Sequence, residues 1–136
     1  MPKVTQFMLG DGINNMPGPK GMITHLIAPQ VALRPAFVPG NFSFALSVGV
    51  RDVNLQQENK IKFMITSPNG EAIQTSEETI IPAIVKDDAL PIEYQGFVLN
   101  LDVRNLAIPV EGIYKFTIFV NGEAMEAQDI PIYKGG

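Results

Sequence analysis

Bulky apolar residues alternate with small or polar ones at a period of two along most of this chain, and helical periodicity is hard to find. In residues 42–50 every even position is large and apolar and every odd one is small, the signature of a half-buried strand. Ile61, Phe63 and Ile65 alternate with Lys60, Lys62, Met64 and Thr66 in a second strand. Ser67-Pro68-Asn69-Gly70 follows as a turn, with proline presetting φ and glycine free to take positive φ, and residues 71–76 return antiparallel. Phe97, Leu99, Leu101 and Val103 set against Val98, Asn100 and Asp102 mark another strand. Tyr114, Phe116, Ile118 and Val120 share one face, Asn121-Gly122 supplies a two-residue type I′ hairpin turn, and Glu123 begins the return strand. Toward the N-terminus, residues 4–9 and 22–28 read as two strands joined by the connection 14–21. Residues 33–40, with Pro35 and Pro39, read as a segment crossing between sheets.

The pattern amounts to about seven to nine short strands bounded by turn chemistry. It predicts an all-β, antiparallel two-sheet sandwich, with a jelly roll or a partly closed barrel as the alternative. The 136 residues make one sandwich domain, 1–136, long enough to bury roughly two-thirds of its unfolded surface without a disulfide or metal. Eleven prolines and twelve glycines leave few windows long enough for a helix.

Composition narrows the functional classes. Cysteine is absent, which removes thiolate metal sites, disulfide frameworks and cysteine nucleophiles together. The net charge is −4 and the basic residues are scattered singly, whereas nucleic-acid and anionic-membrane binding draw on clustered Lys and Arg. No apolar stretch approaches membrane-spanning length, and residues 1–6 lack the features of a signal peptide, so the expected location is the cytoplasm.

One stretch resembles the corresponding part of immunoglobulin-like sandwiches. Pro109-Val110-Glu111-Gly112-Ile113-Tyr114-Lys115-Phe116 is similar to the turn and strand start that carry a tyrosine corner, with Tyr114 two residues before Phe116, where antibody domains place their second cysteine. The resemblance implies that the Tyr114 hydroxyl bonds upstream backbone. Residues 7–13, 20–27, 42–50 and 67–71, with the closing Pro-x-x-Gly-x-Tyr of residues 109–114, also resemble a family of small uncharacterised bacterial β-sandwich proteins. That resemblance implies the fold and no known activity.

Candidate chemistry is sparse. His25 is the only histidine. A triad or a metal site would require partners for it, and with Ile23 and Ile27 as same-face neighbours it reads as a strand histidine. Glu77-Glu78 and Asp87-Asp88 are adjacent pairs, and neighbouring side chains in a strand point to opposite faces rather than across a cleft. Asp87 and Asp88 lack the ligand spacing of a calcium loop. Gly10-Asp11-Gly12 is followed by Asn14, Asn15, Pro17, Gly18 and Pro19, which forbid the helix a phosphate-binding turn needs. There is no tryptophan for a sugar platform. No cofactor, no metal site and no catalytic set are expected.

Interaction surfaces are the better-supported reading. Residues 80–85 (Ile-Ile-Pro-Ala-Ile-Val) form an apolar run whose proline argues for an edge strand or a loop. Its Ile80, Ile81, Ile84 and Val85, with an outward Phe119, are the candidate interaction residues, buried either against another chain or as a loop closing the sandwich end. The outward face of Ser43, Ala45, Ser47 and Gly49 is small enough for another layer to approach closely. These features predict a non-enzymatic protein-interaction or assembly module, homo-oligomeric, with no nucleic-acid or membrane partner. The alternative is a sandwich that sequesters or senses an anionic metabolite through Arg34, Arg51 and Arg104.

Overall fold

The computed structural model describes residues 2–19, 21–83 and 90–135, and the alternation becomes eleven strands and one short 3-10 turn among them. The strands are β1 (Lys3–Gly10), β2 (Gly12–Gly18), β3 (Gly21–Ile27), β4 (Gly40–Arg51), β5 (Asn59–Thr66), β6 (Ala72–Thr75), β7 (Thr79–Ile81), β8 (Gly96–Ile108), β9 (Gly112–Val120), β10 (Glu123–Ala124) and β11 (Gln128–Ile132). One sheet has the order β1-β4-β8. The second runs β10-β9-β5-β6, with β11 continuing the β10 edge of β9 and β7 continuing the β6 edge of β5. All pairings between these strands are antiparallel, and Leu33 makes an isolated parallel bridge with Ile132. The count exceeds the expected one because both outer edges of the second sheet are broken, at residues 76–78 and 125–127. Two separate sheets make this an immunoglobulin-like sandwich, not a closed barrel.

The core lies between the sheets. Phe44, Leu46, Val48 and Val50 of β4 are buried, and so are Ile61 and Ile65 of β5 and Tyr114, Phe116, Ile118 and Val120 of β9. Phe116 joins the layers, its ring centroid 5.4 Å from Phe7 of β1 and 5.6 Å from Phe63 of β5. Alternation along β8 changes phase once. Arg104 and Asn105 together oppose Ser43, Asn105 has φ 52°, and its N–H donates to Ser43 Oγ at 3.0 Å. This bulge moves the core face from Val103 to Leu106 and Ile108, all three buried.

The segment after β3 closes one side of the sandwich. The Gln30 N–H donates to the Leu9 carbonyl at the β1 edge, and the Leu33 N–H donates to the Pro131 carbonyl of β11. The chain thus passes from one sheet to the other with Leu33 fully buried.

The N-terminal expectation needs correcting. Residues 14–21 are not a plain connection, because residues 12–18 form β2, which pairs with β3 in a hairpin separate from both sheets. β1 pairs instead with β4. Asn14, Asn15 and Pro17 disguise β2 as a loop, because neither face of it carries a continuous apolar stripe.

Candidate interaction surface

The β2–β3 hairpin lies across the outer side of the first sheet, over β4 and β8. Its root is seated on small residues. Added at Gly10, a Cβ would stand 2.7 Å from the Ile27 carbonyl oxygen and 2.8 Å from the Leu26 side chain, so the close approach of β3 requires glycine there. Ala45, on the outward face of β4 and paired with Gly10, is fully buried. The outward small-residue face is therefore occupied by the chain itself: the hairpin covers it near Ala45, and the Thr5 and Gln6 side chains pack against Gly49.

Beyond its root the hairpin is bare. Cross-strand register places Ile13, Asn15, Pro17, Met22, Thr24 and Leu26 on one face and Met16, Ile23, His25 and Ile27 on the other. Met16 is 48% exposed, Met22 66%, Ile23 45% and Ile27 46%, so apolar side chains meet solvent on both faces. His25, opposite Asn14, is exposed on the outer face. Beneath the hairpin a cleft of about 400 Å³ is lined by Ile13, Asn15 and Thr24 against Val98, Asn100 and Asp102. Sequence reading missed this surface because its residues were assigned partly to a loop. The usable signal was Met16 and Ile23, which become cross-strand neighbours once β2 is recognised.

The residues predicted from the apolar run divide. Ile80 and Ile81 fall in β7, an edge strand of the second sheet, with Ile80 outward and 53% exposed and Ile81 packed on the core. Ile84 and Val85 lie outside the described residues, as do Asp87 and Asp88. Phe119 is half-buried on the same outer face as Ile80. Lys60 is opposite Ile80 and Lys62 opposite Phe119, and the Lys62 ammonium sits 4.9 Å from the Phe119 ring centroid. That face is thus interleaved with lysines.

The arginines are engaged separately. Arg34 donates to the Tyr133 and Lys134 carbonyls, both at 3.0 Å. Arg51 stacks over Tyr94, 5.1 Å from the ring centroid. Arg104 pairs with Asp102 through Nε at 3.0 Å and Nη2 at 2.8 Å. Arg104 stands at the level of Ser43, so about 26 Å of strand separates it from Arg51. A depression of about 460 Å³ beside Arg51 is floored by Gly49 and Gly96 and walled by Leu90, Tyr94 and Val98.

Among the remaining polar candidates, Asp11 accepts a hydrogen bond from the Gln30 amide, and Glu77 and Glu78 are exposed between β6 and β7. Among the described residues no group of three His, Asp or Glu side chains is arranged to hold a metal, and no helix is long and apolar enough to cross a membrane.

No protein-family model matches this chain, and no curated protein does. Among solved structures it is similar to an immunoglobulin-like protein from Pseudomonas aeruginosa at 10% identity, over 97% of this chain and 96% of that one, with a TM-score of 0.35. The fold assignment rests on the two sheets and on the tyrosine corner, where the Tyr114 hydroxyl donates to the Val110 carbonyl at 2.6 Å.

Proposed function

We propose that this chain is a non-enzymatic protein-interaction module that assembles with copies of itself, and that the β2–β3 hairpin is its docking element. The observation that carries this reading is the two-sided exposure of Met16, Met22, Ile23 and Ile27 on a hairpin outside both sheets. A two-stranded hairpin is marginal in water without a third strand or a covering layer, and apolar side chains clustered on one projecting element favour association. The outer face of the second sheet, with Ile80 and Phe119, is the less favoured surface, because desolvating Lys60 and Lys62 opposes burial there.

Methionine oxidation by peroxide, mapped by mass spectrometry, tests this reading. Met16 and Met22 are expected to oxidise slowly at high protein concentration and faster on dilution. Rates for both that do not change with concentration would contradict it.

One observation favours the alternative, an anionic metabolite held by the sandwich: the Arg51 guanidinium borders the depression beside Tyr94. Calorimetric titration with inorganic phosphate and small carboxylates, with Arg51→Gln as the control, tests it. Heats identical for the two proteins would count against it.

A further inference from the structure

The two edges of the hairpin are not equivalent, and proline decides which one is open. Pro17 of β2 is directly opposite Met22 of β3. In an antiparallel ladder, opposed residues alternate between pairs that exchange two hydrogen bonds and pairs that exchange none. Pro17 has no N–H, so Pro17–Met22 is a pair of the second kind, and the register runs without a bulge through Asn15–Thr24 and Ile13–Leu26. The backbone N–H and C=O groups of Met22, Thr24 and Leu26 therefore point away from β2. Among the described residues these groups have no backbone partner. On the opposite edge the same alternation turns Pro17 outward, where it offers no donor. The β2 edge is thus blunted and the β3 edge is left open.

The β3 edge also lacks the other usual protection. Gly21-Met22-Ile23-Thr24-His25-Leu26-Ile27 contains no Lys, Arg, Asp, Glu or Pro, although the chain as a whole carries 24 charged residues, 10 basic and 14 acidic. Pairing a strand with its own copy brings residues at the two-fold axis close to their own kind, so a charge there would meet a like charge. An edge free of Lys, Arg, Asp and Glu avoids that repulsion and suits a second copy of itself.

Resting on the self-association reading above, we infer that two copies of this chain join by antiparallel addition of β3 to β3, centred on Thr24. That register opposes Thr24 to Thr24 and Met22 to Leu26, uses every outward-facing group on both strands, and forms about six new backbone hydrogen bonds. Ile23 then stands opposite His25 of the other copy, and the two Ile23 side chains become diagonal neighbours on the outer face. The marginal two-stranded hairpin becomes the middle of a four-stranded sheet, β2-β3-β3-β2, which supplies the strands it lacks alone.

Two variants of the whole chain test the mode. Thr24→Pro removes one donor from the open edge of each copy while leaving the bonds to β2 intact, as Pro17 does on its own strand. Thr24→Lys keeps the backbone and places like charges at the axis. Thr24→Pro is expected to weaken the dimer roughly 30-fold or more by light scattering, the effect of about two lost backbone bonds, and Thr24→Lys is expected to weaken it through like-charge repulsion. Asn15→Lys, on the blunted edge, is expected to leave the mass unchanged. In the wild-type protein the amides of Met22, Thr24 and Leu26 are expected to resist hydrogen exchange and to lose protection on dilution. A dimer of unchanged strength in both Thr24 variants would overturn the β3 junction while leaving self-association standing. A wild-type protein that is a single copy at every concentration would overturn both.

Discussion

The Tyr114 hydroxyl donates to the Val110 carbonyl oxygen at 2.6 Å, closing the loop that leads into β9. Tyr114 is fully buried, so this bond both satisfies a phenol inside the core and ties residues 109–112 to the strand that follows. Replacing Tyr114 with Phe retains the ring and removes the bond. A loss of about 1 kcal/mol is expected, or a fall of about 3–5 °C in the midpoint of thermal unfolding.

Burial also pushes the Tyr114 phenol above its ordinary value of 10.0, against a smaller lowering by the Val110 backbone. A folded-state pKa above the unfolded one means that the native state holds the proton more tightly. The associated stability is whole below about pH 10 and is lost as pH rises through the folded value. Denaturant unfolding should show the wild-type protein losing more stability above pH 10 than Tyr114→Phe does. Parallel profiles for the two proteins would contradict this.

Asn59 is a second buried polar anchor. Its side-chain amide donates to the Asn54 carbonyl at 2.9 Å and the Gln57 carbonyl at 3.1 Å, and accepts from Asn121 Nδ2 at 2.9 Å. Asn121, with φ 52° in the turn after β9, in turn accepts from the Lys60 N–H at 2.8 Å. Asn59→Ala leaves these groups short of partners and is expected to cost about 1–3 kcal/mol by chemical denaturation. The loop at residues 54–58 should exchange its amides faster than β9 does.

Gly10→Ala separates the hairpin from the sandwich. The new Cβ meets a backbone oxygen and cannot be relieved by a side-chain rotation alone. A cost of about 1–3 kcal/mol is expected, confined to the hairpin. Hydrogen exchange should accelerate in β2 and β3 and remain slow in β4 and β9. Uniform acceleration would show that the hairpin is integral to the core.

The second sheet's outer face is predicted to be bystander surface. Ile80→Lys and Phe119→Ser should each leave the oligomeric state unchanged. Removing Phe119 also removes its contact with Lys62, and a double-mutant cycle between the two should give about 0.5–1 kcal/mol of coupling. Dissociation by either single variant would move the docking surface to this face.

How far the sequence alone leads is shown by particular strands. β4, β5 and β9 were legible because every second residue is bulky and the Asn121-Gly122 turn leaves little choice of pairing. The tyrosine corner was legible from Pro109 to Tyr114. The phase change at Asn105 was not, because a bulge is a property of two strands in register and Arg104-Asn105 resembles any polar pair. β2 was hidden for a related reason. Proline usually argues against a strand, yet Pro17 occupies the one kind of position where no N–H is needed inward. The exposed hairpin surface was hidden with it, since Met16, Met22 and Ile23 come together only once β2 is paired with β3.

The most direct measurement is the molar mass of the purified chain by light scattering across a dilution series. A single copy has a mass of 14.8 kDa. Self-association through β3 predicts a mass near twice that value at high concentration, falling toward one copy as the protein is diluted. A constant 14.8 kDa over the whole series, with the hairpin amides equally exchangeable throughout, would contradict it.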